Sequence, residues 1–382
     1  MKRRDLFKLA AVAGLPRAAS GRSRREPAPD YMPIVADKMA GGSYNPCYEE
    51  REITEPVLLC DEEGRLNPAA RGWARTPLFR ANLKGHWPRK KKWNFWNWIS
   101  PDFVFSITLA DIDFVQFCAV SFIDFKDHSS VSGVSIHRSG HSPLPEEVEK
   151  SVSFSAGGLD YAMVNEGGDI KVDLSARSLE GKKVRADFVI EKPPGHETLN
   201  VVVPWSEDRF QLNPKHNTLG CRGRLLIGDK QYDMDPEVCH GVQDFGRGMW
   251  PYRSFWNWGV ATGRQGRDLI GINVGAKWTT GTGANENGIC LNGRLFKIME
   301  DLDWSYDPND WMKPWRVKSI CSEVIDITLT PFHPHSMRLS LGVISTGGFC
   351  PFGHWSGVIR PGGQEIEVRN LIGWAEEFSH RW

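Results

Sequence analysis

Short stretches of alternating apolar and polar residues run through most of the chain. Phe103, Phe105, Ile107 and Leu109 fall on one face of an extended strand, and the residues between them fall on the other. Glycine, proline, asparagine and aspartate residues follow each stretch and predict turns. Comparable alternation occurs in residues 115–125, 170–174, 184–190, 199–203, 225–227, 269–274, 324–329, 337–343 and 366–368. Since no amphipathic pattern extends over three helical turns, the sequence predicts an all-β chain of antiparallel sandwiches or barrels.

A tryptophan-rich motif of four residues occurs twice. Residues 95–98 (Phe-Trp-Asn-Trp) return letter for letter at residues 255–258, and each copy precedes an alternating strand. The distance between the copies is that of a domain and is far longer than a solenoid repeat. We therefore expect two related β-barrel halves, residues 48–205 and residues 206–382.

The first 47 residues differ in character from the rest of the chain. Arg3 and Arg4 precede a weakly apolar run at residues 9–15, an arrangement typical of a twin-arginine export signal with cleavage before Gly21. A basic tail without an export role is the alternative, since further arginines follow at once. Prolines and glycines predict a linker up to residue 47. We expect a periplasmic or exported bacterial protein, with a cytoplasmic location as the alternative.

The composition of the 382 residues is that of a folded protein, with 40% hydrophobic and 25% charged residues. The 47 basic residues balance the 47 acidic ones, so charge gives no argument for a nucleic-acid partner. The longest apolar run, residues 114–123, is too short for an integral membrane segment. Tryptophan is unusually frequent at 16 residues, and indole rings typically serve a core or a stacking surface.

Neither the cysteines nor the histidines form a metal motif. The eight cysteines are scattered and contain no C-x-x-C pair, which argues against a zinc ribbon or a thioredoxin-type redox pair. We expect most of them to be free thiols buried in strands. His333 and His335 form an H-x-H pair, but Pro334 between them indicates a loop and no third ligand is nearby. We therefore expect no metal and no cofactor.

Four segments carry a resemblance to a known family. They are residues 52–61 (EITEPVLLCD), 85–93 (GHWPRKKKW), 244–258 (DFGRGMWPYRSFWNW) and 376–382 (EEFSHRW). Together they resemble the family called domain of unknown function 2804 (DUF2804), over about residues 48–382. The duplicated, tryptophan-rich pattern is more distantly similar to the two-domain lipocalin-like proteins that include carotenoid 1,2-hydratase and tocopherol cyclase. That similarity implies an all-β fold of two tandem lipocalin-like antiparallel β-barrel halves, and any function that it suggests is by analogy.

Residues 240–258 concentrate the side chains that are suited to chemistry. A carboxylate among indole rings loses hydration, which favours the protonated acid at neutral pH. Asp244 is therefore the candidate general acid, and aromatic faces would stabilise a cationic intermediate. The alternative is a structural ion pair between Asp244 and Arg247. The other candidates in this segment are His240, Tyr252, Trp250, Trp256 and Trp258.

Weaker candidates lie elsewhere in the chain. Asn273, in an alternating strand, is a candidate orienting amide, and Glu286, in a glycine-rich loop, is a candidate second carboxyl. A solvated turn is the alternative for Glu286. Trp96 and Trp98 of the first motif are candidate ligand contacts by analogy with the second copy.

These residues support three functional hypotheses. The first is a protein that binds a largely apolar small molecule in a tryptophan-lined pocket. As an enzyme, it would be a hydro-lyase, cyclase or isomerase that acts on an isoprenoid-like substrate without a cofactor. The second is a non-catalytic lipid or isoprenoid carrier. The third is a carbohydrate-active protein, because tryptophan faces also stack on sugars and two carboxyls suit glycoside chemistry.

Overall fold

The structure is a computed structural model that describes residues 44–138, 144–165, 167–341 and 344–381. The predicted export signal and most of the predicted linker lie outside these residues. The described chain consists of β-strands and two single-turn 3-10 helices, Pro68–Ala70 and Pro361–Gly363, with no α-helix in the described ranges. No helix within those ranges has the length and apolarity needed to cross a membrane.

The strands are numbered in chain order. They are β1 (Val57–Leu58), β2 (Trp73–Ala74), β3 (Phe79–Arg80), β4 (Lys90–Ile99), β5 (Phe103–Asp111), β6 (Val115–Asp124), β7 (Ser130–Arg138), β8 (Val152–Ala156), β9 (Leu159–Asn165), β10 (Ile170–Leu179), β11 (Lys182–Ile190), β12 (Asn200–Pro204), β13 (Phe210–Leu212), β14 (Lys215–Ile227), β15 (Lys230–Met234), β16 (His240–Met249), β17 (Arg253–Gln265), β18 (Asp268–Ala276), β19 (Gly288–Leu291), β20 (Arg294–Lys297), β21 (Leu302–Ser305), β22 (Trp315–Ser319), β23 (Ile325–His333), β24 (Ser336–Leu341), β25 (Ile344–Phe349), β26 (Phe352–Ile359) and β27 (Ile366–Arg381).

Two large antiparallel sheets share one connection pattern. The first sheet has the order β7-β6-β5-β4-β16-β14-β11-β10-β9-β8, with β2, β12, β13 and β15 attached to it, and we call it the first barrel. The second has the order β20-β19-β18-β17-β27-β26-β23-β22-β21, with β24 and β25 attached, and we call it the second barrel. In the first barrel, β4, β5, β6 and β7 pair in chain order, and in the second barrel β17, β18, β19 and β20 do the same. The last strand of each barrel returns to the free side of the first of these four: β16 pairs with β4, and β27 pairs with β17. This topology confirms the predicted all-β fold with two lipocalin-like halves.

The chain passes from the first barrel to the second between Met249 and Arg253. Strands β13 to β16 therefore belong to the first barrel, although they follow residue 205. The proposed division into domains, 48–205 and 206–382, stays a prediction, and the sheets themselves divide later in the chain.

Strand alternation separates two interiors from a shared interface. Phe105 and Ile107 of β5 are buried in the core of the first barrel. Val104, on the opposite face of β5, belongs to a cluster that also contains Val260 and Trp374 of the second barrel. The second barrel has its own interior core, which includes Ala261, Ile272, Trp315, Ile327 and Trp355. The two barrels thus contact each other through apolar side chains on the outer faces of β4, β5, β16, β17 and β27.

The two tryptophan motifs lie on equivalent strands but turn opposite faces inward. Trp96 and Trp98 of β4 are buried inside the first barrel. Trp256 and Trp258 of β17 instead belong to the cluster between the barrels. Because side chains alternate along a strand, a shift of one residue exchanges the two faces completely. The identical letters therefore do not give the tryptophans equivalent surroundings.

A disulfide fastens the start of the described chain to the second barrel. Cys47 is bonded to Cys321, which follows β22. Beside it, Tyr48 donates a hydrogen bond to Asp301 at 2.8 Å, and Lys297 Nζ contacts Glu50 Oε1 at 2.5 Å. The other six cysteines are free and buried. The expectation that most of the cysteines are free, buried thiols is confirmed by those six, while the one bonded pair joins residues that are remote in sequence.

Candidate functional site

Strand β16 places Asp244 at the contact between the barrels. In the sheet register, Asp244 lies opposite Lys215 of β14 on one side and opposite Phe95 of β4 on the other. Asp244 Oδ1 is 3.2 Å from Lys215 Nζ. The side chain of Asp244 is 17% exposed and that of Lys215 is 3% exposed. The ion pair therefore extends from the edge of the solvent into the interface.

Glu286 contacts the same lysine from the second barrel. Its Oε2 is 2.9 Å from Lys215 Nζ, and that ammonium lies 4.0 Å from the centroid of the Trp258 ring. Lys215 thus connects Asp244 of the first barrel to Glu286 of the second while it contacts an indole face. Both carboxylates and the electron-rich face of the ring stabilise the positive charge of the enclosed ammonium.

Neighbouring side chains fix the buried Glu286 carboxylate. Trp278 Nε1 donates to Oε1 at 2.7 Å, and Asn213 Nδ2 donates to Oε2 at 3.1 Å. The close approach requires a glycine at residue 275, because a Cβ there would come within 2.3 Å of Oε1. Glu286 is therefore a buried, hydrogen-bonded carboxyl and not part of a solvated turn.

Asn273 connects the Glu286 loop to the second tryptophan motif. Its Nδ2 donates to the backbone carbonyl of Glu286 at 2.5 Å, and its Oδ1 accepts a hydrogen bond from Trp258 Nε1 at 2.8 Å. The amide thereby orients the loop and the indole relative to each other.

A third carboxyl, Glu376 of β27, lies opposite Trp258 in the sheet. Trp256 Nε1 donates to Glu376 Oε1 at 2.7 Å, and Glu376 is partly exposed. Burial raises the pKa of Glu376 to about 7, and the charge of Asp244 acts in the same direction, while the bond from Trp256 and the charge of Lys215 oppose the shift. At neutral pH the protonated and ionised forms are both populated. We call Lys215, Asp244, Glu286 and Glu376 the interbarrel cluster.

The cluster combines three carboxyls with one ammonium. Burial by itself lowers the pKa of Lys215, but the attraction of Asp244 and Glu286 outweighs it and raises that pKa. Burial raises the pKa of Glu286, and Lys215 opposes that shift. The lysine thus stays charged, and the excess of acidic groups favours keeping a proton within the cluster.

Tryptophan rings form a wall next to the cluster. Trp250 stacks on Trp278 with ring centroids 5.6 Å apart and packs edge-on against Trp205 at 4.7 Å. Trp256 continues the wall, 6.4 Å from Trp250. Two rings of this wall, Trp278 and Trp256, are also the donors to Glu286 and Glu376. Trp205, Trp250 and Trp278 are themselves buried, so the wall is packed apolar structure that adjoins the acidic groups.

The structure places three other candidates of the segment away from the cluster. Arg247 is buried on the opposite face of β16, where it donates to the carbonyls of Pro145 and Trp93 and forms no ion pair with Asp244. His240 lies at the far end of β16 and is buried. Tyr252 is 37% exposed on the surface and faces Arg89. The proposed clamp between Asp244 and Arg247 is absent, and Asp244 pairs with Lys215 instead.

Sequence reasoning missed Lys215 and Glu376 as site residues. Lys215 begins β14, and a lysine in a sequence is ordinarily taken as a solvated residue. Glu376 lies in residues 376–382, one of the segments that resemble the DUF2804 family. That resemblance is the one feature of the sequence that pointed to Glu376. Neither residue has a local pattern that reveals its partner, since Lys215 and Glu286 meet only when the barrels pack.

A cavity of about 450 Å³ lies elsewhere, between strands of the first barrel. Its lining includes Phe154, Tyr161, Asp160 and Asp173. It contains no lysine or arginine among its lining residues and is separate from the interbarrel cluster. Among the described residues, no group of three histidine, cysteine or acidic side chains is arranged to hold a metal ion.

Residues 50–382 match the model of the family described as domain of unknown function (DUF2804). The chain belongs to the DUF2804 family. No functionally curated protein matches its sequence.

Solved structures that match this chain include three proteins of low sequence identity. A Nitrosomonas europaea protein assigned as AttH is 11% identical, with 77% of this chain and 92% of that chain covered and a TM-score of 0.41. Kievitone hydratase from Nectria haematococca is 10% identical, with 88% and 98% covered and a TM-score of 0.41. CghA with Sch210972 is 11% identical, with 88% and 97% covered and a TM-score of 0.41. At this level of similarity, the function of this DUF2804 protein has to be argued from its own site.

Proposed function

We propose that this DUF2804 protein binds a largely apolar small molecule at the interbarrel cluster and transfers a proton to it, as a cofactor-independent hydratase, cyclase or isomerase. The observation that carries the proposal is the carboxyl of Glu376, whose pKa is raised to about 7 beside a tryptophan wall and a lysine-bridged carboxylate pair. An acid with a pKa near the working pH is the most effective proton donor in general acid catalysis.

Glu376 is the proposed acid, in place of Asp244. Asp244 Oδ1 is already in contact with the ammonium of Lys215. Glu376 has no cation within contact distance among the described residues, and it accepts a hydrogen bond from an indole. Its protonated form donates to an alkene or a leaving oxygen. The negative charge of Asp244 and the faces of the tryptophans then stabilise the positive charge that develops on the substrate.

Incorporation of deuterium from solvent tests this role, since hydration, cyclisation and isomerisation all begin with the same proton. The full chain is incubated in D₂O with a panel of isoprenoid alkenes, and mass spectrometry follows the new C–D bond. We expect incorporation by the wild type and its loss in Glu376→Gln, while quenching of tryptophan fluorescence shows that the ligand still binds. The matched control is Glu367→Gln, an exposed glutamate on the same strand. Incorporation by Glu376→Gln at the wild-type rate would remove the residue from the mechanism.

A non-catalytic carrier is the second candidate function. The cavity of about 450 Å³ in the first barrel is large enough for a small ligand and is separate from the interbarrel cluster. Native mass spectrometry of the purified protein distinguishes the two, because a carrier retains an unchanged ligand in wild type and in Glu376→Gln alike. A glycosidase is disfavoured, since Lys215 occupies the space between the Asp244 and Glu286 carboxylates where the glycosidic oxygen would lie.

We further propose that the protein is exported. The Cys47–Cys321 disulfide supports this, because structural disulfides persist in oxidising compartments. Replacement of Arg3 and Arg4 by lysine is expected to retain the protein in the cytoplasm of a host with a twin-arginine system. Fractionation followed by amino-terminal sequencing measures the outcome, and unchanged export would contradict the proposal.

A further inference from the structure

The first described residues lie along the second barrel, and we call residues 44–50 the amino-terminal strap. The strap runs antiparallel to the loop between β20 and β21. The amide of Asp301 donates to the carbonyl of Pro46 at 2.8 Å, and the amide of Tyr48 donates to the carbonyl of Met299 at 3.3 Å. Two backbone hydrogen bonds contribute little net stability. Side-chain contacts and the disulfide therefore have to hold the strap in place.

The side chains of the strap converge on one asparagine of the second barrel. Tyr48 Oη accepts a hydrogen bond from Asn285 Nδ2 at 2.8 Å. Glu50 Oε1 is 2.5 Å from Lys297 Nζ, and both side chains are buried. Lys297 in turn donates to Asn285 Oδ1 at 2.6 Å. The strap thus contacts Asn285 directly through Tyr48 and indirectly through the buried ion pair.

Asn285 is the residue immediately before Glu286 of the interbarrel cluster. Its Oδ1 also accepts from the amide of Asn287 at 2.7 Å, so the side chain links the residues on both sides of Glu286. Asn285 and Asn287 each donate to the carbonyl of Glu300 at 3.0 Å, in the loop on which the strap lies. Asn285, Glu286 and Asn287 are all buried. The backbone that carries the Glu286 carboxylate is therefore fixed through Asn285.

The disulfide that fastens the strap is open to solvent. Cys47 and Cys321 are both exposed, and exposed disulfides are the ones that thiols reduce most readily. A dithiol passes two electrons and two protons to the bond, so that the two cysteines become thiols and the dithiol becomes a disulfide. The bond joins residues 274 positions apart, so its loss gives the released strap a large gain in conformational freedom.

We propose that the strap is a redox-sensitive device that positions Glu286. With the disulfide formed, Tyr48 and Glu50 hold Asn285, and Glu286 stays fixed beside Lys215. Reduction raises the population in which the strap is released and the carboxylate loses that fixed position. The interbarrel cluster is then complete in an oxidising compartment and loosened in a reducing one. The inference rests on the proposed function only for its effect on a ligand, since it concerns the geometry of one carboxylate.

Hydrogen exchange of the full chain, with and without a dithiol reductant, tests the proposal. Mass spectrometry follows two fragments, one with the amide of Asp301, which is bonded to the strap, and one with the amide of Asn287, which is bonded to Asn285. We expect reduction to accelerate exchange at both amides by at least about tenfold. In the control variant Cys47→Ser/Cys321→Ser, the reductant should change neither amide. Acceleration at Asp301 alone, or at neither amide of the wild type, would overturn the proposal.

The indole of Trp278 reports on the Glu286 carboxylate itself. Its Nε1 donates to Glu286 Oε1 at 2.7 Å, so its N–H resonance in protein with isotope-labelled tryptophan depends on that bond. Trp278→Phe assigns the resonance. We expect reduction of the wild type to shift it, and an unshifted resonance would contradict the proposal. Neither readout uses a substrate, so a failure of proton transfer by Glu376 would leave both outcomes unchanged.

Two tyrosines of the strap separate the positioning of the carboxylate from anchoring of the strap. Tyr48 and Tyr44 donate to Asp301 at 2.8 Å and 3.0 Å, but Tyr48 also accepts from Asn285. Without reductant, Tyr48→Phe should shift the indole resonance and accelerate exchange next to Asn285 about fivefold, as loss of one hydrogen bond does. Tyr44→Phe, the matched control, should change neither. Equal effects of the two variants would remove Tyr48 as the link and overturn the proposal.

Discussion

Phe95 of the first tryptophan motif packs edge-on against Trp258 of the second, with ring centroids 6.2 Å apart. Phe95 also lies opposite Asp244 in the first barrel, and Trp258 lies beneath the ammonium of Lys215. The two copies of the motif therefore meet at the interbarrel cluster. Strands that hold equivalent places in the two barrels thus lie on both sides of one site, with different side chains turned toward it.

The opposite orientation of the two motifs predicts different costs for removal of their tryptophans. Trp98→Ala leaves a large cavity inside the first barrel and should lower the free energy of unfolding by about 3–5 kcal/mol. Trp256→Ala removes a partly exposed ring and should lower the free energy of unfolding by clearly less than Trp98→Ala does. It also removes the hydrogen bond that Trp256 donates to Glu376. Urea denaturation of both variants measures the difference. Equal losses would contradict the assignment of faces.

Lys215 is expected to be essential for the stability of the interface. Lys215→Met leaves the buried Glu286 carboxylate without its cation and should lower the free energy of unfolding by about 3–5 kcal/mol, as broken buried pairs do. The double variant Lys215→Met/Glu286→Gln removes both charges and should recover part of the loss. A double-mutant cycle in urea gives the coupling free energy. Additive losses would show that the two residues do not interact.

The buried histidines predict a loss of stability in mild acid. Burial lowers the pKa of His240 to about 4, and neither ring nitrogen has a hydrogen-bond partner in the described chain. An unfolded imidazole titrates near pH 6.5, so below that pH the unfolded chain binds more protons than the folded one. Stability is therefore full above about pH 6.5 and falls as the pH decreases toward 4. His196, with its pKa also lowered to about 4 by burial, adds to the effect.

His240→Gln isolates the contribution of one such residue. Its free energy of unfolding, measured in urea at several pH values, should change less between pH 7 and pH 5 than that of the wild type. Other groups titrate equally in both proteins, so the difference of the two slopes reports His240. Parallel curves would mean that the imidazole is already protonated or exposed in the folded state.

The disulfide predicts a definite number of reactive thiols. Six thiols should react in denaturant without a reductant, and eight after reduction, because only Cys47 and Cys321 are bonded. Cys47→Ser should lower the free energy of unfolding by about 2–5 kcal/mol, since the bond closes a long loop. Cys350→Ser, which alters a buried free thiol, is the comparison that separates the cross-link from a packing effect. Eight reactive thiols before reduction would disprove the bond.

Local patterns were sufficient to predict the strands and the fold class. The alternation around Phe105 gave β5 and its inward face, because the side-chain period of two is a property of the strand itself. The predicted strand at residues 115–125 corresponds to β6 almost residue for residue. The repeated motif likewise indicated two halves, and the shared connection pattern of the barrels agrees with it. These features depend on neighbours in the chain, so the sequence by itself determined them.

The composition of the site depended on contacts between distant residues. Asp244 and Glu286 were identified as carboxyls, but the lysine between them, the raised pKa of Glu376 and the pairing of Cys47 with Cys321 were not. Each of these arises only when strands from separate parts of the chain enclose a group and remove its water. Which face of a duplicated strand turns inward is likewise set by packing, because a shift of one residue reverses it. Tertiary structure alone decided these properties, since desolvation and ion pairing depend on distances in space and not along the sequence.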